Sequence, residues 1–179
     1  MPGVPDFDFF TTSGVRPGGS RIEISNMQST SEQLLRIVDR HMPLLLALTD
    51  HNPVVTGRWS KREVLGHLAD SASNNHQRFV RALLQDELTW PGYEQEGCVR
   101  VQRYSEYPWK SLVEFWGGYN RLLAHIIRSI PEAKRNTICR IGDNLPMTLE
   151  ELAIDYVRHL QHHLQQLVEV NDLRSAGAN

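Results

Sequence analysis

The stretch Trp59-Ser60-Lys61-Arg62-Glu63-Val64-Leu65-Gly66-His67-Leu68-Ala69-Asp70-Ser71 opens on a helix start signal and continues with helical apolar spacing. The Ser60 hydroxyl can cap an orphan backbone N–H of the first turn, while the Glu63 carboxylate reaches back to the Ser60 N–H. The same signal recurs as Ser29 with Glu32 and as Thr148 with Glu151, so three helices announce where they begin.

Working outward, four long segments carry helical periodicity. The first is predicted over residues 30–48, with Leu34, Ile37, Val38, His41, Leu44, Leu45 and Leu48 on its buried side and Asp50, Asn52 and Pro53 ending it. The second runs over 61–87 and stops before Pro91. The third runs over 108–130, with Pro108 tolerated in a first turn and Pro131 beyond its end. The fourth covers 149–172. Four such helices in one small domain predict an all-α four-helix bundle. The link between the second and third, Glu87 to Tyr107, is longer than adjacent antiparallel helices need and implies a crossover. Alternating residues from Asn136 to Ile141 before Gly142-Asp143-Asn144 predict a short hairpin ahead of the fourth helix. Residues 1–28, with Pro2, Pro5, Pro17 and four glycines, read as an extended arm. Residues 29–173 form the bundle domain and 174–179 a tail.

The chain has 179 residues, 40% hydrophobic and 22% charged, which suits one compact domain. Nineteen Lys and Arg against twenty-one Asp and Glu give a net charge of −2, which argues against nucleic acid as a partner. The longest apolar run, around Leu44 to Leu48, is far short of a bilayer span. The first residues lack the basic and apolar regions of a secretory signal, so the expected location is the cytoplasm. Cys98 and Cys139 have no motif spacing and read as ordinary thiols.

Three of the eight histidines lie in Arg158-His159-Leu160-Gln161-His162-His163-Leu164. On a helical wheel His159 and His163 fall about 40° apart among Leu152, Tyr156, Leu167 and Val170, the face that must be buried. His162 falls with Arg158, Gln165 and Glu169 on the polar side. Imidazoles at i and i+4 can reach a single divalent ion, although such a pair is more often a hydrogen-bonded core pair. His67 is a candidate third ligand, at the edge of the apolar face of the second helix. It heads a polar stripe of Ser71, Asn74 and Arg78 that suggests a pocket, although Asn and Arg stripes are usually solvated. His51, His76 and His125 read as loop or structural residues. Asp70 and Asp155 could orient imidazoles, with surface exposure the commoner case.

Trp59-Ser60 leading to Gly66-His67-Leu68-Ala69-Asp70-Ser71, followed by Asn74 and Arg78, resembles the second helix of the DinB superfamily, specifically its YfiT-like branch of metal-dependent hydrolases. His159 to His163 resembles that family's closing HxxxH, and Trp90-Pro91-Gly92-Tyr93-Glu94-Gln95 and the Trp109 to Ile130 helix also look like it. The similarity spans residues 29–172. It implies an up-down-down-up bundle, often a homodimer, holding one divalent ion (nickel, zinc or iron) by His67, His159 and His163. Family relatives include S-transferases and isomerases that use low-molecular-weight thiols.

Three neutral nitrogen ligands leave a divalent ion's charge uncompensated and a position open, as catalytic sites do. Such an ion can activate water for hydrolysis. The residue after His159, however, is Leu160 rather than the general-base Glu of an HExxH site. That favours a nucleophile needing only deprotonation, such as a small thiol. Ser71, Asn74 and Arg78 are candidate substrate contacts. Tyr93, with Trp90 and Tyr104, could form an aromatic mouth or simply pack the crossover. The contrasting reading is a non-catalytic metal-binding or protein-interaction bundle.

Overall fold

The computed structural model describes residues 27–48 and 59–175. The expected arm up to residue 26, the helix-ending signals at Asp50, Asn52 and Pro53, and His51 lie outside the described residues. Four long helices dominate: α1 (Met27–Leu46), α2 (Lys61–Leu84), α4 (Trp109–Arg128) and α6 (Leu149–Ser175). Between them lie a short helix α3 (Gln95–Gln102), a single turn α5 (Glu132–Arg135), a 3-10 turn at Tyr104–Glu106, and strands β1 (Glu87–Trp90), β2 (Ile138–Ile141) and β3 (Met147–Thr148).

Two start signals work as the sequence predicts. Ser60 Oγ accepts from the Glu63 N–H at 3.2 Å, and Glu63 Oε2 accepts from the Ser60 N–H at 2.8 Å. Thr148 and Glu151 repeat the exchange at 3.2 and 2.7 Å. Ser29 with Glu32 does not. The helix is already formed at Met27, three residues before the predicted 30, where the Met27 side chain is buried in the core, and Glu32 accepts instead from the Gln28 side chain at 2.6 Å. Of the predicted buried face, Leu44 is exposed and Leu48 only half-buried.

α2 ends at Leu84, short of the predicted 87. Gln85 is already extended because the next residues are drawn into β1, which pairs parallel with β2 (Leu88 opposite Cys139). β2 pairs antiparallel with β3 (Cys139 opposite Met147), the hairpin read from the sequence, and the turn between them holds Gly142 at φ +55°.

α1 packs on α4 and α6, and α2 packs on the same two, so the consecutive helices α1 and α2 sit diagonally across an up-down-down-up bundle. The crossover follows from this arrangement: when α2 and α4 are parallel neighbours, the chain between them must travel back along the bundle. Leu34, Leu65, Phe79, Leu112, Trp116 and Leu160 fill the interior. Gly117 of α4 lets α1 approach, since a Cβ there would lie 2.4 Å from Met42 Sδ. Polar ties cross the same core: Ser31 Oγ donates to the Ala124 carbonyl at 2.7 Å, and Tyr156 Oη donates to Asn120 Oδ1 at 2.5 Å. No described helix is long and apolar enough to cross a membrane.

Candidate metal centre

Two helices bring three imidazoles together. His67 comes from the second turn of α2, fixed by the Ser60 cap, and His159 and His163 are one turn apart on α6. One ring nitrogen from each lies within 4.8 Å of the other two. Ring centroids are 5.6 Å apart for His67 and His159, 5.2 Å for His67 and His163, and 4.4 Å for the α6 pair. His67 and His163 are buried, and His159 is half-buried. Trp59 stands beside the cluster, its ring 5.1 Å from that of His67. His162 is exposed, as its wheel position predicts.

Burial, reinforced by the neighbouring His163, lowers the His67 pKa to about 3. Burial followed by the charges of His163 and His67 lowers that of His159 to about 2. Both rings are therefore neutral at physiological pH, the form in which imidazole binds a metal. Nitrogen ligands about 2.1 Å from a common ion lie roughly 3.4 Å from one another in a tetrahedral site, so small ring rotations close the observed spacing. The cluster fits a divalent cation. Among the described residues no other group of three His, Cys, Asp or Glu side chains comes this close.

The polar stripe below His67 is buried rather than solvated. Ser71 is fully buried and Arg78 is 3% exposed, whereas Asn74 is half-buried and donates to the Asp70 carbonyl of its own helix at 3.0 Å. Asn75, which the sequence reading passed over, is buried beside them. Its amide donates to the Ser71 carbonyl at 2.9 Å, and its Oδ1 accepts from Arg78 Nη1 at 3.4 Å. Tyr93 lies close enough to Asp70 and Arg78 to feel both charges, and burial raises its pKa.

The two candidate orienting carboxylates have other partners. Asp155 pairs with Arg158 on α6. Asp70 accepts on one oxygen from Tyr104 Oη at 2.7 Å and from Gln102 Nε2 at 2.8 Å, so it fastens the crossover to α2. Burial raises the Asp70 pKa against those two hydrogen bonds. Tyr104 lies directly on Gly66, where the glycine leaves room for its ring. Both partners of Asp70 come from a segment read as loop, and only the glycine before His67 hinted at a close approach there. His76 bonds the Tyr119 hydroxyl at 3.0 Å, the structural role expected of it.

Comparison with known proteins agrees with this geometry. Residues 27–167 match the DinB superfamily. The chain is 26% identical over 148 residues to a Bacillus pumilus protein named "Putative metal-dependent hydrolase", spanning 80% of this chain and 84% of that one. A Geobacillus thermodenitrificans protein of the same name is 25% identical over 121 residues, covering 67% and 68%. The solved structure of YfiT from Bacillus subtilis, titled a probable metal-dependent hydrolase with an unusual four-helix bundle topology, superposes with a TM-score of 0.75. It is 19% identical, with 91% of this chain and 95% of that one covered. The structural likeness shows the shared four-helix-bundle fold, and the family match from Met27 to Leu167, which spans most of the sequence, shows the family: the chain belongs to the DinB superfamily.

Proposed function

We propose that the protein is a metal-dependent enzyme that binds one divalent ion through His67, His159 and His163 and uses it in hydrolysis or in transfer to a small thiol. The observation that carries this reading is the convergence of three ring nitrogens within 4.8 Å in a buried site. The ion, when bound, supplies Lewis acidity that makes a water molecule or a thiol nucleophilic near neutral pH.

The chain's own residues do the rest. His67 and His159 present neutral donors, their low pKa values keeping protons from competing for them, and His163 completes the set from the next turn of α6. Trp59, packed on the His67 ring, limits water on that side. In this reading Ser71, Asn74 and Arg78 of α2, with Tyr93 of the crossover, receive the remainder of the substrate. The names of the relatives favour water as the nucleophile. A specific observation favours the thiol: Leu160 follows His159, where an HExxH site carries its general-base Glu. Nickel, zinc and iron all suit an all-nitrogen donor set.

Elemental analysis of the purified full chain beside its His159→Ala variant tests the site. About one equivalent of a transition metal in the parent, lost in the variant, is the expected result. A metal-free parent that stays metal-free after incubation with nickel, zinc and iron salts would overturn the proposal.

A further inference from the structure

Arg78 carries a charge that no carboxylate among the described residues pairs with. It is 3% exposed, its Nε is buried with no hydrogen-bond partner, and its one hydrogen bond is the 3.4 Å contact to the neutral Asn75 amide. Among the described residues it makes no ion pair with a carboxylate. A guanidinium cannot shed its proton in a protein, so burying one without an anion costs several kcal/mol unless a ligand supplies the opposite charge.

The groups facing it from the packed elements do not supply that charge. Tyr93 of the crossover and Cys139 of β2 are the two ionisable neighbours whose charges would act on it. Burial raises the Tyr93 pKa and pushes that of Cys139 up to about 11, so both are neutral at physiological pH. The Asn75 amide, anchored to the Ser71 carbonyl, braces one Nη of the guanidinium and leaves the Nε edge uncommitted. Ser71 Oγ, which lies between His67 and Arg78 along α2, is also buried without a partner.

We propose that Arg78, braced by Asn75 and flanked by Tyr93, is a subsite for a carboxylate at the far end of an elongated substrate. A single guanidinium balances a monoanion, and its planar fork matches a carboxylate. Arg78 is eleven residues beyond His67, about 16 Å along the helix, and its arm leans back toward the N-terminus. The carboxylate therefore sits on the order of 12 Å from the histidine cluster. That spacing selects acids whose reacting bond is many atoms from the carboxyl group. The placement of the reacting end rests on the proposed metal site; the charge argument does not.

Thermal unfolding of the full chain, as purified, tests the subsite with succinate as probe and with neutral succinamide and inorganic phosphate as comparators. Succinate at about 20 mM is expected to raise the melting temperature by roughly 3–6 °C, with succinamide inert and phosphate weaker. Without any anion, Arg78→Met should melt no lower than the parent, because it removes an uncompensated buried charge, and its succinate shift should vanish. Arg78→Lys, which keeps the charge without the fork, should bind succinate at least tenfold more weakly and guards against misfolding of the first variant. A parent indifferent to succinate, a stronger response to phosphate, or a shift that survives in Arg78→Met overturns the subsite. The His159→Ala variant separates the two proposals. If it keeps the succinate shift, the subsite stands whatever the metal analysis finds. If it loses the shift while Arg78→Met keeps it, the anion binds at the metal and the subsite falls alone.

Discussion

The ring of Tyr104 occupies the space a side chain on Gly66 would need: an ideal Cβ there would lie 2.2 Å from two ring carbons. This one contact seats the crossover on α2 beside His67, and the Tyr104 hydroxyl completes it by donating to Asp70. Adding a methyl group at Gly66 must displace the ring and that hydrogen bond. Gly66→Ala is expected to destabilise by about 1–3 kcal/mol through overpacking. In a Tyr104→Ala background the same change should be neutral or stabilising by up to about 1 kcal/mol, since alanine is the better helix former. Urea unfolding of the four proteins in this cycle checks it, and equal costs in both backgrounds would show that the ring is not the obstacle.

Loss of any one imidazole should abolish tight metal binding. His67→Ala, His159→Ala and His163→Ala are each expected to retain less than a tenth of the parent's metal, as two nitrogen donors hold an ion poorly. A chelator should lower the parent's melting temperature and leave those of the variants unmoved. Calorimetry with and without chelator reads both effects.

Stability of the metal-free protein should fall on the acid side of neutrality. His67 and His159 have folded pKa values of about 3 and about 2, below the unfolded value near 6.5. The unfolded chain therefore binds more protons between those limits. The stability these neutral rings contribute is full above pH 6.5 and declines as the pH falls through 6.5 toward 3. The slope is of order 1.4 kcal/mol per pH unit for each ring. Denaturant midpoints at pH 7.5 and pH 5 measure it, and His159→Ala should show a shallower decline. A decline that is as steep in the variant would assign it to other groups.

Tyr156→Phe removes a donor from the bundle interior and leaves Asn120 Oδ1 without its partner. Both residues are buried, at 2% and 0% exposure, so water cannot replace the bond. A cost of about 1–3 kcal/mol is expected in chemical denaturation, with metal content unchanged. A variant as stable as the parent would show that Asn120 finds another donor.

The sequence read most clearly where local physics acts alone. Ser60 with Glu63 and Thr148 with Glu151 mark helix starts because both partners of a capping box lie within four residues. Ser29 with Glu32 failed because the burial of Met27, a tertiary event, carried α1 past its signal. Strand β1 went unread for the same reason, since its four residues are extended only by pairing with β2. Helix α3 is eight residues inside a segment rich in turn formers and carries little periodicity of its own.

By itself, then, the sequence determined four amphipathic helices, their order, and the facing of His159 and His163 toward the interior, all consequences of a 3.6-residue period along one chain. Tertiary structure alone decided that His67 meets them, that Asn75 rather than Asn74 braces Arg78, and that Asp70 belongs to Tyr104 and Gln102. These contacts join residues on different elements or depend on which side of α2 its neighbours cover. No local spacing encodes how separate helices turn toward one another; the packing of the shared core does.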